Sequence, residues 1–344
     1  MIAMSGGVDS SVAAYLALRA GYDCIGGTML LCGADCPSAD ARRVAEKLDI
    51  PFFELPFQME FDCQVIRPFI TWYEDGLTPN PCIFCNRQMK FGALLRHALS
   101  LGCSHIVTGH YCTVRYDSGS KRYCLYRASD SGKDQTYFLA GLTQHQLSHS
   151  LFPLGGLTKE EVRQIAQEQG FLNADKRDSQ DICFIPDGDY KAFMQRYTGK
   201  TYPPGDFLDL HGNVIGHHNG AVGYTPGQRK GLGVAFGAPM YVYGKDVRQN
   251  TVTLAPDAAL YAKTLIAGDW NWIPFAAPES AMRVTAKVRY RHTQQPATVY
   301  PEADGTARVE FDEPQRAITP GQAVVLYDGD LVVGSGTISC VIQD

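Results

Sequence analysis

Up to about residue 110, short apolar runs alternate with longer segments whose apolar residues recur at helical spacing. Residues 24–29 read as a strand. Residues 38–48 read as a helix capped by Ser38, with Ala41, Val44, Ala45 and Leu48 on one face, and residues 52–55 as the next strand. A long helix bent at Pro68 follows, then a helix over 86–101 stopped by Gly102, then a strand over 105–108. Repeated strand–helix–strand units predict an α/β fold, a Rossmann-like parallel sheet covered by helices on both faces. Sheets of this kind bind ligands beyond the carboxyl ends of their strands.

Between about 112 and 193 the pattern turns irregular. Lys133-Asp134-Gln135 opens a short helix, and the capping box Thr158-Lys159-Glu160-Glu161 starts a helix running to Gln169. From about 200 onward helical spacing stops. Turns at Pro203-Pro204-Gly205, His211-Gly212-Asn213 and Tyr224-Thr225-Pro226-Gly227 separate β-type segments at 239–243 and 251–254. A linker is expected at 270–274, followed by strands at 282–290, 297–300, 307–311, 323–327 and 332–338. Their regular spacing predicts a small closed β-barrel. The expected division is a nucleotide-binding catalytic domain over 1–195, a small β-rich central domain over 196–268 and a C-terminal β-barrel over 269–344.

The stretch Ser5-Gly6-Gly7-Val8-Asp9-Ser10-Ser11 lies between the first short strand and a helix closed by Gly21. Two glycines allow a tight turn in which successive N–H groups converge on an anion at the positive end of a helix dipole, and the hydroxyls of Ser5, Ser10 and Ser11 add donors. No Gly-Lys-Ser/Thr follows, so this is not a Walker loop, and the third glycine of the dinucleotide fingerprint is missing. All seven residues resemble the ATP pyrophosphatase loop, whose family cleaves ATP between its α and β phosphates.

The carboxyl-end rule selects three more stretches. In Thr28-Met29-Leu30 the backbone of Met29 lines an adenine pocket or its side chain is plain core. In Thr108-Gly109-His110-Tyr111, Gly109 lets backbone approach a nucleotide closely. In Thr78-Pro79-Asn80-Pro81-Cys82-Ile83-Phe84-Cys85-Asn86 a rigid turn delivers two cysteines to a helix start, where the dipole lowers a thiol's pKa. Cys85 is the best nucleophile candidate. Cys183, in Asp178-Ser179-Gln180-Asp181-Ile182-Cys183-Phe184-Ile185, reads on its own as a buried structural thiol.

Composition narrows the class without naming it. The chain has 344 residues, 45% hydrophobic and 19% charged, with a formal charge of −5. No apolar run is long enough to span a bilayer and no signal peptide opens the chain, so a cytoplasmic protein without membrane contact is expected. Eleven cysteines in such a chain point to buried thiols, metal ligands or redox chemistry rather than disulfides. Cys32 and Cys36 are read as loop residues. Strand alternation places Arg283, Lys287, Arg289 and Arg291 on one face with Tyr290 among them, which suits a nucleic-acid backbone and an unstacked base, or else a solvated barrel edge.

Together these residues, with Tyr224 to Gly233 and Thr319 to Gln322, resemble bacterial tRNA-specific 2-thiouridylases, which replace the 2-oxygen of the anticodon wobble uridine with sulfur. The resemblance covers nearly the whole chain and implies the three-part architecture given above. It implies that Ala3, Met4, Ser5, Gly6, Gly7, Val8, Asp9, Ser10, Ser11, Met29 and Gly109 hold ATP, with Mg²⁺ neutralising the phosphates. Asn80, Pro81 and Cys82 would meet the target base, Cys85 would be the nucleophile and Cys183 would carry a persulfide. His110, Lys133, Asp134, Gln135, Arg289, Tyr290 and Gln322 would touch tRNA around its anticodon loop. A sulfur-donor protein, such as a cysteine desulfurase or a sulfur relay protein, is the other implied partner.

Many members carry aspartate after the Asn-Pro, where this chain has Cys82. Cys82 and Cys85 form Cys-x-x-Cys, so with Cys183 they could hold three irons of a [4Fe–4S] cluster whose fourth iron binds hydrosulfide. Alternatively Cys82 packs, or resolves a disulfide with Cys85. Two rival functions remain: a synthetase that adenylates a small substrate, which leaves the cysteines unexplained, and a non-catalytic tRNA-binding protein, which releases no AMP.

Overall fold

The structure is a computed structural model and describes residues 1–31, 38–174, 176, 182–234 and 237–343. Cys32, Cys36 and the acidic stretch 178–181 lie outside the described residues. Its first body is a five-stranded parallel sheet in the spatial order Phe52–Pro56, Gly26–Leu30, Ile2–Ala3, Ile106–Val107, Ser150–Leu151. The first strand is only two residues long, yet it is central, pairing Ile2 with both Gly26 and Val107. The chain winds outward to one edge through the second and third strands, then returns to the other side of the first. That reversal opens a crevice between the ends of Ile2–Ala3 and Ile106–Val107.

Both faces of the sheet are packed. Helix Val8–Arg19 buries Val8, Val12, Ala13, Ala14 and Ala17 against one face, where helices Ser38–Lys47 and Lys159–Glu168 join it. Ala41, Val44 and Ala45 are the buried positions of Ser38–Lys47, as their spacing predicts. The expected bend at Pro68 is a π-helical turn, Asp62–Ile66, with Pro68 in the first turn of the helix Arg67–Glu74 that follows. A wider turn just before proline accommodates the missing N–H and the ring. The next helix starts earlier than the spacing predicts, at Pro81, and passes through a π-helical stretch, Cys85–Leu94, before ending at Ser100.

Two β bodies follow. Tyr241–Asp246, Thr251–Ala255, Gly205–Leu208 and Val214–His218 form a four-stranded sheet around Phe207, Val242, Val252 and Leu254. Six strands then close into a barrel: Tyr261–Trp272, Met282–Lys287, Gln295–Pro301, Ala307–Arg316, Ala323–Asp328 and Leu331–Ile342, with the first and last paired. The expected linker at 270–274 is not one. Trp270 and Trp272 belong to the barrel's first strand and stack at 4.5 Å, so the barrel starts at Tyr261.

The irregular region after 112 hides a hairpin, Thr113–Asp117 with Arg122–Tyr126, that extends the barrel sheet through a Tyr126–Leu331 pair. Arg122 reinforces this joint by donating to Ile273 O at 2.7 Å and Trp272 O at 3.1 Å. Asn271 does the same in the other direction, donating to Ala140 O and Leu142 O. The barrel is therefore docked on the first body through backbone carbonyls as well as apolar packing.

Candidate active site

The Ser5–Ser11 loop leaves the central strand at the crevice. Gly6 adopts φ +70°, a left-handed conformation that glycine takes without steric cost, and Gly7 caps the helix with no side chain occupying its first N–H groups. A Cβ on Gly7 would meet only Ser5 Oγ, at 3.4 Å, so the space in front of the loop is not filled by protein. Ser10 and Ser11 are buried and donate to Gly7 O at 2.9 and 3.0 Å. Ser5 donates from both its N–H and its hydroxyl to Ser10 Oγ at 3.2 Å, so all three hydroxyls hold the loop's shape and the expected anion donors reduce to backbone N–H groups of the helix start.

Residues far along the chain brace the loop. Asp9 accepts from Lys159 Nζ at 2.6 Å and from Tyr111 OH at 3.0 Å. Asn173 donates to Gly6 O at 3.1 Å and Ser11 Oγ at 2.9 Å, and Lys176 reaches Gly6 O at 3.4 Å while pairing with Asp40. None of these braces was singled out from the sequence. One signal was there: Lys159 opens a helix, where the macrodipole disfavours a cation unless a carboxylate answers it.

Gly109 stands at the neighbouring strand end, against the loop itself. A Cβ there would fall 2.6 Å from Asp9 C and 2.7 Å from Ser10 N, so glycine is needed for the two crevice walls to touch. Met4 and Val8 are buried under the loop, and Ala3 is half-buried. The Met29 side chain is partly buried and packs against two apolar clusters.

The second part of the site is the cysteine helix. Asn80 is its N-cap, accepting from Cys82 N at 3.2 Å, and Pro81 fills the first position. Because the helix begins at Pro81, Cys85 lies a full turn inside it and not at the N-terminus, so the expected dipole assistance falls to Cys82. Cys85 is half-buried in a cluster with Met29, Ile182 and Phe184. Phe184 anchors the Cys183 turn against Phe61 and Phe69, with ring centroids at 5.6 and 5.4 Å. Cys183 itself is exposed, not a buried structural thiol.

Cys85, Ile182, Phe184 and Ile185 share one apolar cluster, so the folded chain brings two distant stretches together, and the charge of Cys183 reaches Cys82. Crowding by protein atoms pushes both thiols above the ordinary value, and the charge of Lys90 works against that rise. Cys82 and Cys183 are free thiols. Among the described residues no group of three or more His, Cys, Asp or Glu is placed to hold a metal ion, and these cysteines are among those residues. Among the described residues the expected iron–sulfur ligand set is therefore not assembled: Cys82 and Cys85 lie a helical turn apart on one helix, and Cys183 comes from a separate turn.

Several expected tRNA contacts are internal fasteners. Asp134 is buried and accepts from Thr136 Oγ1 at 2.8 Å and Ala128 N at 3.2 Å. Gln135 accepts from Tyr111 N at 3.0 Å. Gln322 donates to Thr78 O at 2.9 Å, holding the turn that presents Asn80. Arg289 donates to Pro226 O at 2.8 Å, Ala317 O at 3.1 Å and Thr319 Oγ1, which ties the central sheet to the barrel.

The expected basic strand face fails for a related reason. The strand stops at Lys287, so alternation does not carry to Arg289 and Arg291, and Arg283 is paired with Asp312 at 2.8 Å. A different cationic group forms instead. Tyr290 packs at a tilt on Phe138, ring centroids 4.3 Å apart, Lys287 Nζ stands 5.5 Å from its ring, and the charges of Lys133 and Arg291 reach its hydroxyl together with that of Asp134.

Family models match three consecutive parts of the chain: a "tRNA methyl transferase HUP domain" over 1–187, a "tRNA methyl transferase PRC-barrel domain" over 191–256 and an "Aminomethyltransferase beta-barrel domain" over 262–338. The chain is 51% identical to the tRNA-specific 2-thiouridylase MnmA of Heliobacterium modesticaldum, over 98% of this chain and 91% of that protein. It is 49% identical to the protein of the same name in Acetivibrio thermocellus, over 98% of each chain. With Moorella thermoacetica the identity is 50% over the full length of both. With the loop, the crevice and the cysteine helix in place over that whole length, the chain belongs to the tRNA-specific 2-thiouridylase family.

Proposed function

We propose that the protein is a tRNA-uridine 2-sulfurtransferase that uses ATP to activate carbon 2 of a uridine in the anticodon loop and then replaces its oxygen with sulfur. The observation that carries this reading is the shared cluster of Met29, Cys85, Ile182 and Phe184, which brings the sulfur-bearing stretches to the nucleotide end of the sheet. The family models' descriptions speak of methyl transfer, whereas the relatives' names speak of thiolation. Two cysteine stretches beside an ATP pyrophosphatase-type loop favour the latter.

The uridine 2-oxygen is a poor leaving group. In this reading it attacks the α-phosphorus of ATP held on the Ser5–Ser11 loop, pyrophosphate departs, and an O-adenylated uridine results. Asn80 and Pro81 present the base from their rigid turn. Cys183, loaded as a persulfide by a sulfur-donor protein, is attacked by the Cys85 thiolate at its inner sulfur. The terminal sulfur leaves as hydrosulfide and adds to carbon 2, AMP departs with the original oxygen, and the Cys85–Cys183 disulfide is reduced by an external thiol.

Mg²⁺ would arrive with the nucleotide. Asp9 is already engaged by Lys159 and Tyr111, and among the described residues no group of three or more His, Cys, Asp or Glu is placed to hold a metal ion. The tRNA backbone would follow Lys133, Lys287 and Arg291 around Tyr290, whose ring is the stacking surface. Among the described residues no helix is long and apolar enough to cross a membrane. Mass spectrometry of nucleosides from tRNA incubated with the protein, ATP and a persulfide donor tests the reading. ATP-dependent 2-thiouridine is expected, and tRNA left unmodified while ATP is consumed would favour a small-substrate synthetase.

A further inference from the structure

Lys90 lies on the cysteine helix, one π-helical turn beyond Cys85. Its Nζ stands 3.4 Å from His110 Nε2, and His110 Nδ1 lies 2.8 Å from Thr108 Oγ1. His110 is enclosed beside Phe91 and Phe152, with ring centroids at 5.8 and 6.4 Å. Burial and the adjoining Lys90 charge hold its pKa well below the ordinary histidine value, so the ring is neutral. A neutral imidazole facing an ammonium accepts at Nε2 and carries its proton on Nδ1, from which it donates to Thr108. The end of the fourth strand in sequence thereby aims Lys90, and His110 is a positioning residue and not an exposed tRNA contact.

The groups facing the two sulfurs point to what Lys90 is aimed at. The Cys183 turn packs on the cysteine helix, Phe184 and Ile185 sharing one cluster with Cys85 and with Met89, the residue before Lys90. The charge of Lys90 acts on both Cys82 and Cys183, and backbone N–H groups of its own turn add to it at Cys183. Among the described residues, Lys90 is thus a cation shared by both sulfurs. An ammonium in a crowded, partly dehydrated site stabilises nearby negative charge far more than it does in water. Such charge must form twice in the proposed reaction, when Cys183 accepts sulfur and when it is attacked.

We propose that Lys90, held by His110 and Thr108, is the electrostatic anchor of the sulfur site, stabilising negative sulfur at Cys183 and Cys82. The inference rests on the sulfur-transfer reading above, but its test does not need tRNA, ATP or a sulfur donor. The full chain would be alkylated with iodoacetamide across a pH series and the rate at each cysteine read by peptide mass spectrometry. In Lys90→Met, and in Lys90→Gln as a second neutral variant, the profile of Cys183 should move up by about one pH unit, a roughly tenfold slower reaction at neutral pH. Lys90→Arg should stay near the parent, and Cys340, exposed on the barrel, should react alike in all four proteins. An unchanged Cys183 profile in the neutral variants, or an equal shift in Lys90→Arg, would overturn the proposal. Failure of the parent protein to make 2-thiouridine would instead sink the sulfur-transfer reading and leave this result standing.

Discussion

The nucleotide loop and the sulfur site sit at the same end of one sheet, yet they are built in opposite ways. The loop is seven consecutive residues that close on themselves, Ser10 and Ser11 donating to Gly7 O, with braces from Lys159 and Asn173 added from outside. The sulfur site is assembled from two stretches far apart in sequence, joined by Phe184 packing and by a cation from the cysteine helix. One region is pre-formed and rigid, suited to holding phosphates without reorganisation. The other leaves Cys82 and Cys183 exposed, as the proposed loading of sulfur from a second protein requires.

This contrast makes the two half-reactions separable, and the largest effects should come from separating them. Cys85→Ser should lose thiolation completely, a fall beyond about a thousandfold, because an alkoxide cannot replace the thiolate, while tRNA-dependent pyrophosphate release continues. Gly7→Val should abolish pyrophosphate release itself, since its side chain would enter the open space before the loop. Assays of pyrophosphate and 2-thiouridine on both variants check this, and a Cys85→Ser protein that releases no pyrophosphate would break the separation.

Next in size is the loop's brace. Lys159→Met strands the Asp9 carboxylate against a buried wall, and the expected loss is about 2 kcal/mol in urea unfolding, moderated because Asp9 is partly solvated. ATP binding should weaken with it, while alkylation of Cys183 should not change. Loss of Cys183 reactivity in this variant would mean the two regions are one cooperative unit.

A smaller effect follows from pH. Cys183 is held above the ordinary thiol range by crowding, so its thiolate is the minor form at neutral pH. Sulfur loading from a persulfide donor should therefore climb with pH up to and past the normal thiol value, close to tenfold per unit on the rising limb. Pyrophosphate release should show no matching rise. Stopped-time labelling with a persulfide donor at several pH values measures it, and a flat loading profile would contradict the crowded-thiol picture.

The smallest changes belong to the frame around tRNA. Arg291→Gln should weaken tRNA binding roughly threefold to tenfold and lower the salt slope by about one, with ATP affinity unchanged. Gln322→Ala removes the bond to Thr78 O and should raise the KM for tRNA a few-fold with little loss in kcat. Filter binding across a salt series and steady-state thiolation read the two outcomes.

The same contrast explains what could be read from the chain alone. The loop was legible because its glycines, serines and following helix are contiguous, and the sheet because apolar runs such as Phe52–Pro56 and Gly26–Leu30 stand between spaced helices. Lys159, Asn173 and Lys176 were not legible as braces, because their partners on the loop lie far away and no local pattern marks a long-range hydrogen bond. The hairpin Thr113–Asp117 with Arg122–Tyr126 escaped because one strand is largely exposed and polar, and its partner is a barrel edge met only in space. Trp270 and Trp272 read as a linker because Pro274 follows so closely, although aromatics at alternating positions are also strand residues. Alternation misled at Arg289, where the chain leaves the strand just after Lys287 and turns the side chain inward.

The most direct test follows the oxygen. In tRNA carrying ¹⁸O at carbon 2 of uridine, the label should leave in AMP as 2-thiouridine forms, one labelled AMP for each thiolated base, because the uridine oxygen attacks phosphorus and departs with it. Thiolated tRNA accompanied by unlabelled AMP, or by ADP, would contradict activation of the base on the Ser5–Ser11 loop.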